Sequence, residues 1–230
     1  MISIENLKVS YGENNVLKSL NLTIQSSSIH GLVGLNGSGK TTLLNSIYGL
    51  KEKQAGSISY DSAPIARNII AYLESVNYFY PYITGKEYLM MFRTQNENYD
   101  IDKWNELFEL PLNKLIEDYS TGMKKKLAFM GTICLKREII ILDEPFNGVD
   151  LETVQKIKLL LVKLKESNRT IIITSHILES LTSLCDFISY LNNGVIQFTK
   201  ERKDFDSVEK EIFSVHQERL DNQIQSLFIK

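Results

Sequence analysis

A chain of 230 residues with 43% apolar and 23% charged side chains can bury a full core, so neither disulfides nor metals are needed to hold it together. A net charge of −2 excludes a global field that recruits nucleic acid or anionic lipid, and no run approaches ~18 apolar residues, which excludes a membrane-spanning helix. Cys134 and Cys185 lie far apart among apolar neighbours with no ligand spacing, as expected of buried thiols in a reducing compartment.

The chain opens on a strand pattern rather than a secretory leader, so any membrane association is expected to come through a partner. Ile2, Ile4, Leu7 and Val9 predict a half-buried strand whose spacing slips once, between Ile4 and Leu7. A turn over Gly12–Asn15 leads to a second strand ending near Ile24. The apolar run Ile29–Val33 ends in a glycine-rich loop, and Thr41–Tyr48 follows as a helix; Ile58–Tyr60 and Ile69–Leu73 are short strands. From about Val76 to Lys136 the pattern turns helical. Thr84 and Glu87 have capping-box spacing and open a helix through Phe92, Ile101–Leu110 forms a second, and Ser120 starts a third. Ile139–Leu142 resumes the strand pattern and ends in two acids. Leu151, Val154, Ile157, Leu160, Leu161 and Leu164 share one helical face. Thr170–Thr174 and Phe187–Leu191 are strands, and Asn192-Asn193-Gly194 turns into Val195–Phe198. Strands alternating with helices imply a largely parallel sheet covered on both faces. The charged residues beyond Lys200 follow no clear pattern.

Gly34–Thr41 reads GLNGSGKT, which fits GxxxxGK[ST] and lies between a predicted strand and helix as that motif requires. Gly34, Gly37 and Gly39 let the backbone turn so that successive N–H groups, from Asn36 through Ser38 to Thr42, face phosphate oxygens. The helix start adds its positive end. Lys40 supplies a full charge to the β- and γ-phosphates, and the Thr41 hydroxyl can ligate Mg²⁺. A nucleoside triphosphate is therefore the expected ligand. Asp143, closing a hydrophobic strand, stands where a Mg²⁺-organising carboxylate belongs, and Glu144 beside it can polarise an attacking water. No NKxD guanine-reading motif accompanies these, which speaks against a GTPase. Lys124–Lys126 is taken as a solvated face of a helix rather than as a nucleic-acid site.

Other motifs in this order resemble the ABC transporter ATPase family over about residues 1–200. Tyr119–Lys124 stands where that family has its LSGGQ signature, Asn147–Asp150 resembles its D-loop, and Thr174-Ser175-His176 resembles its switch histidine. Tyr11 matches the aromatic that stacks on adenine. The resemblance implies an α/β P-loop NTPase core with a mainly parallel sheet, an N-terminal antiparallel portion and an inserted helical subdomain. The core is expected at about 1–76 and 137–200, the helical part at about 77–136, and a C-terminal extension at 201–230. It implies ATP and Mg²⁺ as ligands, with Lys40, Glu144 and His176 catalytic and the histidine on the γ-phosphate. It also implies a head-to-tail dimer with an identical copy or a paralogue. There Ser120, Thr121, Gly122 and Met123 meet the partner's γ-phosphate, with Asp150 of the D-loop nearby. Integral membrane permease subunits, a cytoplasmic place on the inner face of the membrane and no nucleic-acid partner complete the expectation. Two departures stand out. Thr121 and Met123 replace a glycine and a glutamine of the signature, and Ser75 or Glu74 occupies the position of the family's Q-loop glutamine, where the resemblance implies a further Mg²⁺ ligand. Tyr80–Gly85 resembles exporters of the bacitracin-resistance and lantibiotic-immunity type, some of which also lack that glutamine.

Overall fold

The computed structural model describes residues 1–214 and Gln217. In chain order it runs β1 (Ile2–Tyr11), β2 (Asn14–Ile24), β3 (Ile29–Val33), α1 (Lys40–Tyr48), β4 (Ala55–Tyr60), β5 (Ala63–Pro64) and β6 (Ile70–Leu73). Three helices follow, α2 (Gly85–Arg93), α3 (Ile101–Phe108) and α4 (Thr121–Cys134). The remainder is β7 (Ile139–Leu142), α5 (Leu151–Glu166), β8 (Thr170–Ser175), α6 (Leu178–Thr182), β9 (Phe187–Asn192) and β10 (Val195–Glu201). A 3-10 turn at Arg202–Ser207 leads into a helix over 208–214, α7. The extension expected at 201–230 otherwise lies outside the described residues.

Two sheets form. The antiparallel one has the order β2-β1-β4-β5, and the other β10-β9-β3-β8-β7-β6, parallel throughout except for the edge strand β10. The mainly parallel α/β core and the N-terminal antiparallel portion are as expected. Period-two alternation explains how the parallel sheet is covered on both sides. Ile29, Ile140, Leu142, Ile171 and Ile173 face one apolar cluster with α2, α4, α5 and α6. Leu32, Ile139, Ile141 and Ile172 face another, with α1 and the antiparallel sheet.

Local chemistry places most element ends. The slip between Ile4 and Leu7 is a bulge, with Asn6 at φ 49 and the β1–β2 register shifting there. The first turn is tighter than expected, because Asn14 and Asn15 already pair with Tyr11 and Ser10, leaving Gly12 and Glu13 to turn. Thr84 accepts the Glu87 amide at 3.2 Å while Glu87 accepts the Thr84 amide at 2.7 Å, the capping box read from sequence. Helix α3 stops at Phe108, short of Leu110, since Glu109 turns left-handed and the Asn105 side chain takes over both polar groups of Leu110. The predicted face of α5 is corrected at its start. Leu151 is 86% exposed and the buried line runs Thr153, Ile157, Leu161, so the first residue of the helix meets solvent rather than the core. Both cysteines are free and buried.

Candidate functional site

Parallel register brings the carboxyl ends of β3, β8, β7 and β6 to one edge: Val33 lies beside Ser175, Ile173 beside Leu142, and Leu142 beside Leu73. Residues following these strands therefore border a common crevice, the usual ligand site of such a sheet. A cleft of about 450 Å³ opens there, lined by Asn36, Gly37, Gly39, Lys40, Thr41, Thr42, Asp143 and Glu144, and also by Asn14, Val16 and Ser75.

The loop after β3 needs its glycines for contact as well as for conformation. Gly39 has φ 109, and a Cβ on Gly34 would sit 2.4 Å from the Leu191 carbonyl. Ser38 Oγ is buried and has no hydrogen-bond partner among the described residues. The Lys40 ammonium is folded onto its own loop, donating to the carbonyls of Gly34 at 2.7 Å and Leu35 at 3.3 Å. Burial lowers its pKa, and the nearby Glu144 and Asp143 carboxylates counter that. A buried cation whose hydrogen bonds among the described residues go to carbonyls, in one loop with an orphaned hydroxyl and a helix start, is a site prepared for an anion.

Asp143 is 1% exposed and joins two strands to that loop. Thr41 donates to its Oδ2 at 2.8 Å and Thr174 to its Oδ1 at 2.6 Å. The same Thr174 hydroxyl accepts the Glu144 amide at 2.9 Å. Glu144 holds a left-handed backbone with φ 51, a conformation costly for a non-glycine residue and common where a side chain must be aimed. Its Oε2 lies 3.0 Å from His176 Nδ1, which gathers both candidate catalytic side chains at one point. The oxygen set of Thr41 and Asp143 suits Mg²⁺, a hard cation that needs few protein ligands when phosphates supply others.

Most other sequence candidates lie outside the cleft lining. The Tyr11 ring is half-exposed, with the Lys51 ammonium 4.0 Å from its centroid. Of the two alternatives for the missing glutamine, Ser75 borders the cleft and the exposed Glu74 does not. Ser120 caps α4 by accepting the Met123 amide at 3.2 Å. No residue of Ser120–Met123 lines the cleft. A Cβ on Gly122 would come within 2.9 Å of the Gly148 carbonyl, so the start of α4 packs against its own chain's Asn147–Asp150 loop. Asp150 caps α5 and pairs with Lys126 at 3.1 Å; the Thr153 amide and hydroxyl, then Lys126, hold it below the usual carboxylate range. The run Lys124–Lys126 is corrected: Lys125 is buried and Lys126 paired, because α4 enters the core one turn after its start.

Sequence reading missed Thr174 as a site residue, along with Asn14 and Val16. Only Thr174 left a signal, a polar residue directly after the apolar run Ile171–Ile173 and two positions before His176. A larger cavity of about 680 Å³ adjoins the same loop at Leu35 and Asn36, but its charged groups are Glu179, Asp206 and Glu209, the wrong sign for a polyphosphate.

Comparison with known proteins identifies the family and the fold. Residues 17–147 match the ABC transporter family. The ABC transporter ATP-binding protein YtrB of Bacillus subtilis is 34% identical over 203 residues, 84% of this chain and 70% of that protein. The bacitracin transport ATP-binding protein BcrA of Enterococcus faecalis is 32% identical over 84% of this chain and 67% of its own. The lantibiotic transport ATP-binding protein SrtF of Streptococcus pyogenes is 29% identical over 91% and 95%. A dimeric ATP-binding cassette in a post-hydrolysis state with ADP and Pi superposes with a TM-score of 0.79 over 88% of this chain and 99% of that one; at 23% identity this speaks to the fold.

Proposed function

The chain belongs to the ABC transporter family as an ATP-binding subunit and is an ATPase, and from that premise we propose how its own residues bind and cleave ATP in a dimer that drives membrane partners. One observation carries the reading: Asp143 is held at once by Thr41 of the phosphate loop and by Thr174 of β8, with Glu144 aimed beside it.

The loop amides from Asn36 to Thr42 cradle the phosphates, and Lys40 exchanges the Gly34 and Leu35 carbonyls for phosphate oxygens. Thr41 and Asp143 would hold Mg²⁺, which when bound would offset phosphate charge. Glu144 accepts a proton from the water whose oxygen bonds to the γ-phosphorus as the bridge to ADP breaks. His176 orients the Glu144 carboxylate through Nδ1, leaving its other ring nitrogen for the γ-phosphate. Tyr11 supplies an aromatic face for adenine, with Asn14 and Val16 along the cleft wall.

The Ser120 helix start lies outside its own cleft, which supports use of Ser120–Met123 on the triphosphate of a second subunit arranged head-to-tail. Permease subunits are the proposed load. Among the described residues no helix is long and apolar enough to cross a membrane, while Val76, Tyr78, Tyr80 and Tyr82 form an exposed apolar segment directly after Ser75. Such a subunit sits peripherally on the cytoplasmic face. The bacitracin and lantibiotic transport in the names of two relatives supports transport as the work done, and export is the direction proposed for it.

Fluorescent-nucleotide binding, ATPase rate and size exclusion test this on two variants. Lys40→Ala should lose nucleotide binding. Glu144→Gln should bind ATP, lose hydrolysis by about 10³-fold or more, and elute as an ATP-dependent dimer. Wild-type turnover in Glu144→Gln would remove that carboxylate from its role.

A further inference from the structure

We propose that Lys125 is a positioning residue of this ATPase, an internal cation that fastens the helix starting at Ser120 to the wall of the nucleotide cleft, a role that rests on the assignment of that cleft to ATP. Lysine is almost never buried without a partner, yet Lys125 is 6% exposed. Its Nζ donates to the Ser75 carbonyl at 2.9 Å. Ser75 in turn lines the cleft with Lys40, Asp143 and Glu144. Burial lowers the Lys125 pKa, and the Asp143 and Glu144 carboxylates are near enough to oppose that shift. One ammonium therefore ties α4 to the joint following β6, with the acid pair following β7 within range of its charge.

A neutral donor would suffice for the bond to Ser75. The charge does more. Asp143 and Glu144 are adjacent carboxylates in a largely desolvated place, and Lys125 offsets part of their mutual repulsion. It also makes the attachment of α4 to the Ser75 joint depend on the charge in the cleft. The joint is the place where the family's glutamine is missing, so a lysine approaching from the helix side supplies a link that side-chain length denies to Ser75.

The test uses the full chain with Lys125→Gln, which keeps a donor and drops the charge, and Lys125→Met, which drops both. Mg²⁺ is titrated against binding of trinitrophenyl-ATP and against ATPase rate. Both variants should need about three- to tenfold less Mg²⁺ for half-maximal nucleotide binding, since the acid pair is less neutralised. Lys125→Met should also lose about tenfold in kcat with the KM for ATP changed less than about threefold, and Lys125→Gln should lose less. A Mg²⁺ midpoint equal to wild type in both variants overturns the proposal, even if kcat falls, because a purely structural lysine would give that pattern. If Lys125→Met fails to fold, the midpoint of Lys125→Gln decides. Lys40→Ala serves as control: retained binding there refutes the cleft's assignment to ATP, whereas lost binding there with wild-type midpoints at Lys125 refutes only the lysine's role.

Discussion

Replacing Thr174 by valine keeps shape and burial and removes one hydroxyl, so its effect can be worked from two contacts. Thr174 is fully buried, donates to Asp143 Oδ1 at 2.6 Å and accepts the Glu144 amide at 2.9 Å. Losing a hydrogen bond to a charged group costs about 1.5–3 kcal/mol, and a stranded, mostly buried amide about 1–3 kcal/mol. The contacts share one hydroxyl and are not additive, so the unfolding free energy should fall by about 2–4 kcal/mol. Catalysis should suffer as well. Asp143 would keep only Thr41 as an anchor, and Glu144 would lose what holds its left-handed backbone. Misplacement of such groups on the ångström scale costs about 10²-fold in rate. Urea unfolding at constant m-value and steady-state ATPase assays measure the two effects separately. Thr174→Ser restores the hydroxyl and should stay within about threefold of wild type in kcat. If Thr174→Val hydrolyses ATP as fast as Thr174→Ser, the threonine does not organise the acid pair.

Two further outcomes are expected. Ser120→Arg should abolish ATP-driven dimerisation while sparing nucleotide affinity, and mixing it with Lys40→Ala should recover partial ATPase activity; absence of any recovery would count against a site shared between subunits. His30, fully buried with Nε2 2.8 Å from Ser189 Oγ, has its pKa pulled from the ordinary 6.5 to about 4 by burial. Stability is thus complete above pH 6.5 and lost as pH falls towards 4, by roughly 3 kcal/mol, because only the unfolded chain takes up the proton in that window. Urea midpoints at pH 7.5 and 4.5 should converge less in wild type than in His30→Gln, and equal losses in both would show that another group titrates.

Much of this protein is local in sequence and was legible there. The phosphate loop announces itself because its glycines, Lys40 and Thr41 must be contiguous for one backbone turn to wrap a phosphate. Strands read correctly where a short apolar run is buried on both faces, as in Ile139–Leu142, and the start of α2 was readable because a capping box spans one helical turn. Asp143 and Glu144 stood out as acids ending an apolar strand.

What the sequence could not express is which distant groups share a hydrogen bond. Thr174 looks like any β-branched strand residue until parallel register sets it against Asp143, a contact spanning 31 positions. Lys125 looks like the middle of a solvated lysine run until the tilt of α4 turns it inward to Ser75, 50 positions away. Leu151 looks like core until its place at the helix start leaves it in solvent. Periodicity reports which residues share a face of their own element. Only packing of that element against others decides whether the face meets water, apolar side chains or a carboxylate, because burial and charge pairing depend on neighbours brought together by chain crossover.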